Sequence, residues 1–199
     1  MAFRRLFALA ATVLAATLLT GCFVVSKNVP AGKAVNDERL LGAWMAIEKD
    51  GDVRDNTAYL HFQVQEDAKK PLRLVWVEDK NYQVYELITV RVGNKNVFAA
   101  TLIAPDEAKK QKDMPAGYFL GFYEVTGNEA DFQMLDSQKV GALIESGKLK
   151  GIKPPGKYDF ATLIGSPNEL AQFLTSPAAD AARVDDPARL RRVQPLKKN

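Results

Sequence analysis

The feature that most constrains the fold is a series of short apolar segments between residues 59 and 135, separated by turn residues. In the first of them, Leu60, Phe62 and Val64 alternate with polar residues, which is the period of a half-buried β-strand. Further strands are predicted at residues 72–77, 82–92, 97–103, 118–125 and 131–135, and the turns at residues 93–96 and 126–129 are typical of hairpins. We therefore expect a mainly β, β-rich α+β fold: an antiparallel meander, curled or closed into a barrel to hide its edges.

Two short helices are expected in the C-terminal half. Asp136 or Ser137 can cap the first helix, and Gly147 suits its C-terminal end. The second begins at residues 166–169, Ser-Pro-Asn-Glu, which combine a capping box with proline at the first helical position. Residues 158–164, between the helices, are predicted to form the last strand. Residues 176–199 are expected to be a polar, basic tail.

The predicted first strand carries a short motif. In residues 40–44, Leu-Leu-Gly-Ala-Trp, Gly42 allows close packing where the chain enters the sheet, and the Trp44 indole is large enough to plug one end of a barrel. With Asn36 just before it, this stretch resembles the Gly-x-Trp signature of the lipocalins. The resemblance implies an eight-stranded meander barrel with Gly42 and Trp44 as structural residues and a small apolar ligand inside. Helices on both sides of the last predicted strand depart from the lipocalin pattern.

The N-terminus has the layout of a secretory signal peptide. Arg4 and Arg5 precede an almost continuous apolar run, residues 6–19, which is shorter than the ~20 residues needed to span a bilayer. The run ends in Leu-Thr-Gly followed by Cys22, the only cysteine in the chain. This ending resembles the lipobox of bacterial lipoproteins, and the alternative is an incidental cysteine behind an ordinary signal peptide.

The lipobox resemblance implies a modified and anchored protein. Residues 1–21 would be removed, and Cys22 would carry a diacylglycerol thioether on sulfur and an acyl chain, such as palmitate, on nitrogen. Several acyl chains on one residue give a stable membrane anchor. Phe23 in place of the aspartate that retains lipoproteins at the inner membrane favours the outer membrane, facing the periplasm or the cell surface. Residues 22–36, with Pro30 and Gly32, are expected to be a lipidated tether, and residues 37–175 the β domain.

Charge and cysteine content narrow the classes of partner. Loss of residues 1–21 removes two arginines and no acid, which leaves a formal net charge of about +1. Such a balance gives no argument for nucleic acid or for an anionic substrate. With Cys22 occupied by lipid, no internal disulfide can form, so stability must come from packing. No cofactor is expected apart from the covalent lipid.

The sequence offers little catalytic chemistry. His61 is the only histidine, and its position in the strand places it on the outward face, opposite Leu60 and Phe62. A zinc site needs several nitrogen or sulfur ligands, and a hydrolase triad would need His61 as its base. Asp50, Asp52 and Asp55 suggest a calcium loop but fit an Asp-Gly turn better.

Four acids lie on or beside the predicted strands. A glycosidase-like pair of carboxylates is neither supported nor excluded by their spacing alone. The four acids are Glu78, Asp79, Glu86 and Glu124.

We therefore expect a non-catalytic module that is anchored to the membrane and binds another protein of the cell envelope. The alternative is a lipocalin-like carrier of a small apolar ligand, and a hydrolytic enzyme is less favoured. The side chains expected to line or fill the barrel are Leu60, Phe62, Leu74, Trp76, Val90, Phe98, Leu120, Phe122 and Phe132. Because an eight-stranded barrel is only just wide enough for its side chains or for one small ligand, the many aromatic rings favour a filled interior.

Overall fold

The computed structural model describes residues 24–53, 57–67, 69–78, 81–103, 116–153 and 160–193. Its strands are β1 (Val24–Ser26), β2 (Lys33–Val35), β3 (Gly42–Ile47), β4 (Tyr59–Gln63), β5 (Leu72–Glu78), β6 (Asn81–Val92), β7 (Lys95–Leu102), β8 (Tyr118–Thr126), β9 (Glu129–Met134), β10 (Gly151–Ile152), β11 (Ala161–Leu163) and β12 (Ala188–Arg192). A 3-10 helix, Glu38–Leu40, precedes β3, and the α-helices are α1 (Ser137–Glu145), α2 (Pro167–Thr175) and α3 (Pro177–Ala181).

Eight of the strands form a closed antiparallel barrel. Strands β3 to β9 follow one another as a meander, β12 pairs with both β9 and β3, and β9 pairs back to β8. The β6–β7 hairpin turns at Gly93 and Asn94, and the β8–β9 hairpin turns at Gly127 and Asn128. The β-rich fold, the closed barrel and both hairpins are thus confirmed.

The last barrel strand lies where the sequence led us to expect a polar tail, and that expectation is wrong for β12. Leu190 is buried and pairs with Ala46 of β3 and Ala130 of β9, while Arg189 and Arg191 point outward. Without β12, the edges of β3 and β9 would be left unpaired. β12 therefore forms because β3 and β9 require a pairing partner, and not because residues 188–192, Ala-Arg-Leu-Arg-Arg, favour a strand by themselves.

The expected tether between residues 22 and 36 is also structured, from Val24 onward. β1 pairs with β8 on one side and with β11 on the other, and β2 pairs with β6. Val24 and Val25 are fully buried. The β1–β11–β10 strands therefore extend the wall of the barrel sideways from the start of β8, and we call them the side sheet.

The helix predictions hold in detail. The Asp136 side chain caps α1 by accepting from the backbone N–H groups of Gln138 and Lys139. Ser166 and Glu169 form the capping box of α2, with Pro167 at the first turn. A third helix, α3, follows directly and was not expected. All three helices lie between β9 and β12 in the chain.

The sheet has an apolar core on each of its two sides. One core fills the barrel and includes Trp44, Leu60, Phe62, Leu74 and Phe98, with Phe132 and Trp76 packed against it, as expected. The other lies outside the barrel, between β6–β8 and the helices. It contains Val90, Leu120 and Phe122, which we had placed inside. These strands are apolar on both faces, so their alternation does not reveal which face is the inner one.

Candidate functional site

One end of the barrel is closed by Trp44. The indole is fully buried, as predicted, and its Nε1 donates a hydrogen bond of 2.6 Å to the carbonyl of Leu40 in the 3-10 helix. The guanidinium of Arg192 lies 4.2 Å from the centre of the Trp44 ring, and Arg192 pairs with Trp44 across β12 and β3. Gly42 packs against the same arginine, since a Cβ there would lie 3.2 Å from Arg192 Nη1.

Arg192 links β12, the last strand of the barrel, to the segment just before β3. Its Nη1 donates to the carbonyl of Leu41 and its Nη2 to the carbonyl of Arg39, both at 2.5 Å. Sequence reasoning missed this residue because it lies among the basic residues of the expected tail. The one available signal was the alternation of Leu190 with the arginines around it.

A polar network supports the same end. Asp37 accepts from the Tyr123 hydroxyl at 2.9 Å and from Arg39 Nη2 at 2.7 Å. The hydrogen bond from Arg39 is the main reason why the pKa of Asp37 lies below its ordinary value, and burial raises the pKa of Tyr123. The Thr89 hydroxyl donates to the carbonyl of Val35. Each of these polar side chains is hydrogen-bonded within the protein, so the network supports the closed end of the barrel.

The middle of the barrel is filled by aromatic rings. The Phe132 ring lies 5.4 Å from that of Phe98, 5.9 Å from that of Phe62 and 5.8 Å from that of Tyr123, measured between ring centres. Gly121 faces Phe98, and a Cβ at this position would lie only 2.6 Å from the Phe98 ring. The glycine therefore makes the room that the ring occupies.

The opposite end of the barrel is less tightly closed. Trp76 and Gln83 face each other across β5 and β6, and both side chains are half-buried. The Tyr85 hydroxyl donates to Gln83 Oε1 at 2.5 Å, and burial raises the pKa of Tyr85 to about 12. This end thus presents an apolar wall with one uncharged polar pair.

An uncharged patch covers the outside of β3 to β6. Met45, Tyr59, Val77 and Tyr82 form one cross-strand row, and Ala43, His61, Val75 and Val84 form the next; we call these eight residues the β3–β6 outer face. Tyr59 is 49% exposed, Val77 41% and Tyr82 56%. Strand spacings give the patch an area on the order of 250 Å², somewhat below the ~300–600 Å² of the largest apolar patch on a typical monomer.

His61 lies in the middle of this face and is exposed, as its strand position predicted. Its Nδ1 lies 2.9 Å from Gln63 Nε2, and its cross-strand neighbours are Ala43 and Val75. No acid or nucleophile is hydrogen-bonded to it in the part of the chain that the structure describes. The geometry therefore makes His61 a surface side chain.

The acidic residues are dispersed. Glu78 pairs with Asn81 at the end of β5, Glu86 lies farther along β6 and Glu124 on β8, while Asp79 lies outside the described residues. Within the described ranges, no group of three or more histidine, cysteine, aspartate or glutamate side chains is arranged to hold a metal ion.

The Asp50 segment forms the predicted turn. The backbone N–H of Gly51 donates to the Glu48 carbonyl, and that of Asp52 donates to Asp50 Oδ1. Asp55 lies outside the described residues.

The predicted lipidation site, Cys22, lies outside the described residues, which begin at Val24. Among the helices that the structure describes, none is long and apolar enough to cross a membrane. Comparison of the chain with protein-family models, with curated proteins and with solved structures found no match.

Proposed function

We propose that this chain is a lipoprotein of the bacterial outer membrane whose barrel is a non-catalytic module that binds another envelope protein. The lipobox ending at Cys22 supports the anchor. The β3–β6 outer face supports the binding role and is the observation that carries it. The partner chemistry is an apolar protein surface of matching size.

The composition of this face favours a protein partner. None of its eight side chains is a carboxylate, lysine or arginine, while Arg73 and Glu86 border it on one side and Arg189 and Arg191 on another. An uncharged centre that contains tyrosine and is surrounded by charged residues is the usual anatomy of a protein–protein interface. The exposed tyrosines Tyr59 and Tyr82 are the expected anchors, because tyrosine is enriched among the residues that dominate binding energy.

The position of the anchor supports the same conclusion. Cys22 lies two residues before Val24, so it is at most ~7 Å from it along the chain. Val24 belongs to β1, which pairs with β8, and β4 is four strands from β8 in either direction around the barrel. The lipid would therefore hold the wall opposite to the β3–β6 outer face, and this face would point away from the anchoring bilayer.

Site-specific crosslinking in intact cells tests the binding role. A photoreactive amino acid replaces Tyr59 or Tyr82, and Ile152, which is as exposed as Tyr82 but lies on the side sheet, serves as the matched control. We expect one discrete protein adduct from positions 59 and 82, none from 152, and loss of the adduct in a Val77→Asp background. An adduct from the control alone, or an equal yield in the Val77→Asp background, would contradict the proposal.

The anchor is tested separately. Intact-mass analysis of protein from native membranes should show an acylated Cys22 and the loss of residues 1–21. Cys22→Ser should leave the protein unprocessed or release it from the membrane. An unmodified N-terminus at another residue would refute the anchor without touching the barrel.

The observation that favours a second function, carriage of a small apolar ligand, is the half-buried end of the barrel at Trp76 and Gln83. Half-buried Trp76 and the Tyr85–Gln83 pair would contact such a ligand, but the Phe132 cluster leaves it only the outer part of the interior. Extraction of natively purified protein should then release about one ligand per chain, and an apolar dye should compete with it and change the Trp76 fluorescence. We expect an empty extract and no dye binding.

A further inference from the structure

The folded domain begins almost at the proposed lipid. Val24 is 0% exposed and pairs with β11, and Val25 is 1% exposed and pairs with both β8 and β11. Only Phe23 separates Val24 from Cys22. A chain this short cannot act as a spacer, because two residues span at most ~7 Å.

The side sheet exposes apolar residues next to this point. Ile152 is 56% exposed and Ile164 43% exposed. Ile152 pairs with Thr162, and the Ile164 N–H donates to the Lys150 carbonyl, so these four side chains share one face, which we call the β10–β11 face. Thr162 also pairs with Val25, and strands lie ~4.8 Å apart, so Ile152 is ~10 Å from the start of the domain.

Lysines lie on this face and at its edges. Lys148, Lys150 and Lys153 are exposed, and two of them form ion pairs, Lys150 with Glu169 at 2.6 Å and Lys153 with Glu145 at 2.7 Å. Exposed isoleucines with lysines beside them are suited to the boundary between lipid headgroups and acyl chains, where the long lysine stems lie along apolar surface and the amines stay in the polar layer.

We infer that the β10–β11 face is a membrane-contact surface, and that the domain lies directly on the bilayer in one orientation. The inference rests on the proposed acylation of Cys22. The acylated cysteine fixes one point of the domain at the lipid surface, and Ile152 and Ile164 make the second contact.

Site-specific fluorescence tests this contact. Ile152→Cys and Ile164→Cys carry an environment-sensitive dye, and Tyr82→Cys and Val77→Cys are controls matched in exposure at 56% and 41%. In processed protein the sulfur of Cys22 is a thioether, so the introduced cysteine is the only free thiol. The labelled lipoproteins are reconstituted into phosphatidylethanolamine and phosphatidylglycerol vesicles that contain doxyl-labelled lipid. We expect quenching at positions 152 and 164 to exceed that at 82 and 77 several-fold.

A longer tether provides the second variant. Insertion of about twelve Gly and Ser residues between Phe23 and Val24 adds a flexible reach of ~20 Å, and should reduce quenching at position 152 while the protein stays on the vesicles. Equal quenching at all four positions of vesicle-bound protein would overturn the inference but leave the anchor intact. Failure of the processed protein to remain with the vesicles would refute the proposed anchor, and this inference with it.

Discussion

Replacement of Arg192 by alanine is the sharpest test of how the barrel closes. The guanidinium donates two hydrogen bonds of 2.5 Å to the carbonyls of Leu41 and Arg39, and it covers the Trp44 ring at 4.2 Å. It thereby joins β12, the start of β3 and the 3-10 helix. In the Arg192→Ala variant, two carbonyls lose their partner and the indole loses its cover.

The expected loss can be worked out from these contacts. Hydrogen bonds from a charged group contribute ~1.5–3 kcal/mol each, and a cation–π contact ~0.5–2 kcal/mol. Arg192 is only half-buried, and contacts made by one side chain are not additive, so the low end of the sum applies. We expect the free energy of unfolding to fall by ~3 kcal/mol, which lowers Tm by ~6–12 °C for a domain of this size.

Urea unfolding followed by tryptophan fluorescence measures the effect. Arg189→Ala is the matched control, since it removes an outward arginine from the same strand and breaks only exposed contacts, an ion pair with Asp131 at 3.8 Å and a hydrogen bond of 3.4 Å to the Lys49 carbonyl. Exposed contacts of this kind contribute at most ~1 kcal/mol. Arg192→Lys should lose about half as much as Arg192→Ala, because an ammonium cannot reproduce the planar fork. Equal losses for Arg192→Ala and Arg189→Ala would refute this account of the closed end.

Three other outcomes follow from the packing and the charges. Trp44→Ala should cost ~3–5 kcal/mol in thermal unfolding, enough to leave much of the protein unfolded. Gly121→Ala should cost ~1–3 kcal/mol in urea unfolding, because its Cβ would meet both the Phe98 ring at 2.6 Å and a backbone carbonyl at 2.7 Å. Because the Arg39 hydrogen bond lowers the pKa of Asp37, its contribution to stability is present above the unfolded-state pKa of ~4 and is lost as pH falls. Asp37→Asn should therefore flatten the stability profile below pH ~4.

Much of the barrel was readable from local sequence signals. Each hairpin is specified by two apolar segments and a glycine turn within about 20 residues, so the β6–β7 and β8–β9 pairs could be predicted. The caps of α1 and α2 could be predicted for the same reason, because the capping residues lie next to the first turn of each helix. Trp44 was predicted to be buried because a large indole beside Gly42 has few other places to pack.

The features that were missed depend on partners far away in the chain. β12 is short and basic, and it forms a strand because β3 and β9 need a neighbour more than 50 residues from either. Val90 and Phe122 were placed on the wrong side because the helices that cover them come later in the chain. The β3–β6 outer face consists of alternate residues on three hairpins, so no single segment reveals it.

The closed barrel limits how a partner can bind. Strand addition to a sheet requires a free edge, and among the described strands the barrel itself has none, since each of its eight members pairs on both sides. Among the described strands outside the barrel, the two that pair on one side only are β2 and β10, and they have only three and two residues. A partner must therefore recognise side chains on a face of the barrel. The β3–β6 outer face offers uncharged side chains for this, and an anchor on the β1 side would keep them turned away from the membrane.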